Sequence, residues 1–148
     1  MGLVVSAPVV RECKDEDIRI SASQEQKIKY IQMVRKNGFS VVKIPREYRT
    51  AELWYEAVLQ NPYALMYVPE EYKTTELCFE AVKREGFTLC YVPEVIKTPE
   101  MCLIAVKSCG KALEFVPYKF KTEYICYEAL RNDNYAFKFI PEEENCIV

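Results

Sequence analysis

Histidine is absent from this chain of 148 residues. Its loss excludes Ser-His-Asp and Cys-His catalysis, histidine zinc sites and the usual general base near neutral pH. Long apolar runs are missing too: nothing approaches the roughly 18 residues that a membrane-spanning helix needs. No single sign of charge dominates, since 20 Lys and Arg stand against 22 Asp and Glu for a net charge of −2. No global basic field is therefore available to draw the chain onto nucleic acid. Nor does an apolar signal segment with a small-residue cleavage site open the chain.

Cysteine is plentiful, but its spacing lacks the short step of a metal knuckle. Cys13, Cys78, Cys90, Cys102, Cys109, Cys126 and Cys146 are separated by 65, 12, 12, 7, 17 and 20 residues. A zinc knuckle brings two thiolates together within about two to four residues, so no metal and no cofactor is expected. An odd number of thiols without a signal segment reads as reduced cysteines acting as small hydrophobes in a reducing, cytoplasmic setting. With 50% apolar and 28% charged residues, the composition is that of one soluble globular unit.

What the chain has in abundance is self-similarity. Pro45, Pro69, Pro93, Pro117 and Pro141 follow one another at intervals of 24 residues. Thr50, Thr74, Thr98 and Thr122 keep the same step, as do Ala57, Ala81, Ala105 and Ala129. Cys78, Cys102 and Cys126 form another column, with Trp54 and Tyr30 in their place earlier on. Aromatics fill two more: Phe39, Tyr63, Phe87 and Tyr135, then Tyr67, Tyr91, Phe115 and Phe139. Such a register predicts a tandem array of five units over residues 26–148, preceded by an N-terminal extension or cap over 1–25. The aromatic columns read as packing between units in preference to base-stacking platforms.

Each unit opens as a helix. The threonine is a good N-cap, Glu76 faces the positive end of the helix dipole, and Pro99 takes the tolerated first position. Leu77, Cys78, Ala81 and Val82 then mark one apolar face. Gly38, Gly86 and Gly110, with Asn134 in the last unit, are expected to close the helices as left-handed caps, while Pro62 should force a different turn. Ser23 and Gln26 read as a capping box for the first helix. The second half of each unit suits a short helix, although Tyr63, Leu65 and Tyr67 alternate as in a strand. The favoured architecture is thus an all-α solenoid of helix-turn-helix repeats, the alternative being an α/β solenoid of the leucine-rich-repeat kind.

The strings YVPEEYKTTELCFEAVKREG and YVPEVIKTPEMCLIAVKSCG resemble the tandem repeats of the domain of unknown function 4116 family of bacteria and large DNA viruses. The resemblance implies a helical repeat protein. It brings no catalytic residue and no activity.

Two features bear on function. Arg49, Lys73, Lys97 and Lys121 form a basic column uninterrupted across four junctions. Stacked at ordinary helix spacing they would make either a ridge for an acidic or phosphorylated partner, or a set of local caps for backbone carbonyls. At the start, Met1-Gly2-Leu3-Val4-Val5-Ser6 fits the pattern for myristoylation at Gly2, although Glu12, Asp15, Glu16 and Asp17 follow in place of a polybasic partner. The expected function is a non-catalytic scaffold or protein-binding module, with a protein partner or further copies in a larger assembly. Alternatives are a structural or assembly protein of a virus or complex, and a host-directed effector carried to a membrane by Gly2. Those readings place the protein in a host cytoplasm or a virion.

Overall fold

A computed structural model of the chain describes residues 21–141. Among these residues five α-helices alternate with shorter 3-10 segments, and no strand occurs. The α-helices are α1 (Ala22–Lys36), α2 (Ala51–Gln60), α3 (Thr75–Arg84), α4 (Pro99–Ser108) and α5 (Glu123–Asn132). Each is followed by a six-residue 3-10 segment, the third being Gly86–Tyr91, and after α1 to α4 by a three-residue turn such as Glu94–Ile96. The fold is all-α, and the strand alternative is set aside.

The helix starts follow the threonines. Thr50, Thr74, Thr98 and Thr122 each accept a hydrogen bond from the backbone N–H three residues on, satisfying a donor that the helix leaves orphaned. The capping box of α1 lies two residues earlier than expected. Ser21 and Gln24 form it, with Gln24 N–H donating to Ser21 Oγ at 3.3 Å and Ser21 N–H to Gln24 Oε1 at 3.0 Å. Helix α1 thus begins inside the stretch assigned to the N-terminal extension.

The helix ends differ from expectation in a second way. No residue described here has a positive φ, so Gly38, Gly86 and Gly110 are not left-handed caps. The chain turns at the residue before them: Asn37, Glu85 and Cys109 are extended, with φ of −155°, −146° and −143°. Asn61 takes the same shape at −144°, so Pro62 turns as the glycines do. Proline has the fixed φ that a first helical position requires, which explains why it fits. Glycine is present for a different reason. A Cβ on Gly38 would stand 2.5 Å from the Ala57 carbonyl oxygen of α2, and one on Gly110 2.5 Å from that of Ala129 in α5. The glycines therefore let each 3-10 segment approach the next helix. Where Pro62 replaces glycine, α2 and α3 form the loosest of the four helix junctions.

Runs of 3-10 helix longer than about four residues are uncommon, so tertiary burial has to hold these in place. Leu65, Leu89 and Leu113 sit fully buried at their centres, and Val68, Val92 and Val116 close them. From the helices come Leu77, Cys78, Ala81 and Val82 and their counterparts, all within one continuous core. Each α-helix packs on the next along the chain and on the 3-10 segments beside it. The aromatic columns meet across junctions: Phe39 stands edge-on to Tyr67 at 6.0 Å and Phe87 to Phe115 at 5.3 Å.

Candidate functional site

The basic column is turned into the array. Lys97 keeps only 5% of its side chain exposed, and its Nζ donates to Glu94 Oε1 and to the Phe115 carbonyl, both at 2.7 Å. Lys121 Nζ donates to the Phe139 carbonyl at 2.9 Å, and burial lowers its pKa. Lys73 pairs with Glu70 at 2.9 Å and is also largely covered. Arg49 folds back on its own unit, donating through Nε to Ile44 O at 2.7 Å and through Nη2 to Val42 O at 2.9 Å. Lys97 and Lys121 thus tie the turn that ends one unit to the 3-10 segment of the next, so the geometry is that of a carbonyl cap and not of an open ridge. A buried carbonyl that loses its charged donor costs about 1–3 kcal/mol. Lys97→Met, which keeps the apolar stem, is expected to destabilise by that amount in a denaturant titration. An unchanged midpoint would show that the Phe115 carbonyl does not depend on it.

The same register of 24 residues holds a second column, one that charge does not reveal. Ile31, Tyr55, Phe79, Leu103 and Tyr127 follow the cysteine column by one residue, and every member is apolar or aromatic. Ile31, Phe79 and Leu103 are half-buried, whereas Tyr55 and Tyr127 are 44% and 59% exposed. One residue beyond the buried face, a side chain on each α-helix lies on the shoulder of that face, partly open to solvent. Five such positions fall one on each of the helices α1 to α5, and Ile31, Phe79 and Leu103 also pack against the core. The signal was present in the repeat register itself, in a column with no polar residue at a place where folding alone tolerates one.

Cys78, Cys102 and Cys126 lie in the core as expected. Burial pushes the thiols of Cys78 and Cys102 from 9.0 up to about 11, and the neighbouring Lys73 and Lys97 offset this only in part. Burial also raises Cys90, Tyr63 and Tyr91. A thiol held above its ordinary value is a poor nucleophile at neutral pH. It also couples folding to pH with a definite sign. Between pH 9 and 11 the unfolded chain releases these two protons while the native chain retains them, so stability falls as pH rises. A thiol held at about 11 in the native chain corresponds to about 2–3 kcal/mol at each site. Full stability is expected below pH 9, and Cys78→Ala with Cys102→Ala should flatten the alkaline loss seen by circular dichroism. An alkaline limb identical in the double variant would contradict this.

Among the described residues no three Cys, Asp, Glu or His side chains gather as a metal site, and no helix is long and apolar enough to cross a membrane. Gly2, Cys13, the acidic run Asp15 to Asp17, Glu142 to Glu144 and Cys146 lie outside the described residues.

Residues 75–121 match the family model described as Domain of unknown function (DUF4116). The matched stretch starts at the first residue of α3 and ends at Lys121, one residue short of two periods. No curated protein and no solved structure matches the chain.

Proposed function

We propose that the protein is a non-catalytic solenoid scaffold that binds a protein partner along the stripe Ile31–Tyr55–Phe79–Leu103–Tyr127. The observation that carries this reading is the stripe itself: one partly exposed apolar side chain per α-helix, at every period. Repeat arrays bind through extended faces made by stacking, and exposed aromatics are the side chains that contribute most at protein interfaces. Buried thiols held in their neutral form suit a structural role in a reducing compartment. The inward basic column leaves the stripe as the better docking surface.

The test is a pair of substitutions at the two most exposed members, Tyr55→Glu and Tyr127→Glu. A partner captured from native cytosol by the unaltered chain should be lost by the double variant, with the melting temperature unchanged. Equal capture by both proteins would place the interface elsewhere.

A further inference from the structure

Three departures from the repeat fall at one place, the junction of the first two units. At the next two junctions a carboxylate, Glu70 or Glu94, precedes the column cation by three residues and pairs with it. Here the corresponding residue is Arg46 and the column cation is Arg49 in place of lysine; both guanidiniums line one cleft, and although Glu47 lies between them in sequence, neither has an ion pair among the described residues. The Arg46 guanidinium makes no hydrogen bond or ion pair among the described residues, and Arg49 commits Nε and Nη2 to carbonyls, leaving further N–H groups to donate. The third departure is Trp54, in the column that holds cysteine in the three units that follow. It is 1% exposed, and its Nε1–H is the one buried side-chain polar group without a partner among the described residues. Buried donors are nearly always satisfied, so an orphan beside two uncompensated cations points to a missing acceptor.

These three side chains wall an open cleft of about 440 Å³ together with Tyr67, Tyr72 and Glu71. The size falls in the range of small-molecule sites. Its charge balance is two cations against one carboxylate, and Glu71 pairs with neither arginine. Flat apolar surface from the rings of Tyr67 and Tyr72 completes it. We propose that this cleft binds a small organic acid, its carboxylate accepting from Arg46, Arg49 and the Trp54 indole N–H and its apolar body set against the rings of Tyr67 and Tyr72. Guanidinium forks match carboxylates in geometry, and aromatic walls favour a flat apolar body.

Trp54 is the only tryptophan, so its indole N–H gives a single resonance in the intact, isotope-labelled chain. Titration with benzoate is expected to move that resonance saturably, with inorganic phosphate run in parallel. Arg46→Glu restores the acid found at Glu70 and Glu94. It should melt at or above the unaltered protein, because it removes a like-charge neighbour, while benzoate affinity falls at least about tenfold. Should that variant melt lower, Arg46→Gln removes the cation alone and carries the same expected loss of affinity. A resonance unmoved by benzoate, a response to phosphate alone, or equal affinity in the variant that folds would each overturn the assignment.

Discussion

Replacing Leu89 by alanine is expected to destabilise the protein by about 2–5 kcal/mol, the range for a large-to-small change in a core that relaxes only in part. Leu89 is fully buried in the 3-10 segment Gly86–Tyr91, which packs against both α3 and α4 and against the 3-10 segments on either side. It thus serves two junctions at once. In an array stabilised by neighbour interfaces, the damage should spread beyond its own unit and shift the whole denaturation curve. Urea titration followed by circular dichroism measures it. A loss below about half a kcal/mol would mean that Leu89 seals no interface.

Gly86→Ala carries the second large effect, of about 1–3 kcal/mol, the usual cost of overpacking. The added methyl would run into the Ala105 carbonyl oxygen of α4 and stand 2.9 Å from Ser108 Cβ. Ser108 also accepts the Gly86 N–H at 3.2 Å, so the contact that must give is one that now fixes the junction. Pro62 shows how the chain yields: with a ring at the equivalent position, α2 and α3 stand further from close contact than the other pairs. The alanine variant should therefore stay folded with the α3–α4 junction loosened. Faster amide exchange in those two helices is the direct readout, and exchange equal to the unaltered protein would show that the close approach is not needed.

Much of this fold was legible in the primary structure because each unit repeats its own punctuation. Threonine N-caps, the Leu77–Cys78–Ala81–Val82 face and the Pro-started turns stand where the register puts them. The helix ends were harder to read, since glycine serves two purposes that look alike in sequence. A left-handed cap and a close approach both require the missing Cβ, and only the position of the next helix distinguishes them. The short second element was ambiguous because six residues carry too little periodicity to separate a strand from a 3-10 helix. The basic column was visible, but the direction of its side chains was not. Lys97 reaches a carbonyl 18 residues away, a contact created only by stacking. The cleft at Trp54 follows the same logic, for its departures are plain in the register while the orphaned indole N–H emerges only from the packing.

The sequence repeats with a period of 24 residues, and each helix packs on the next along the chain. The most direct test of this stacking is to duplicate residues 74–97 in register after Lys97, which adds one helix, one 3-10 segment and one turn and creates one new junction, with Arg84 of the copy where Ser108 now stands. Equilibrium unfolding of the enlarged chain in urea is the measurement. A stacked array predicts a folded protein with a higher midpoint and a denaturant slope greater by about a fifth, because one more unit buries its share of surface. A chain that loses cooperative unfolding, or that melts in two separate steps below the original, would contradict the account.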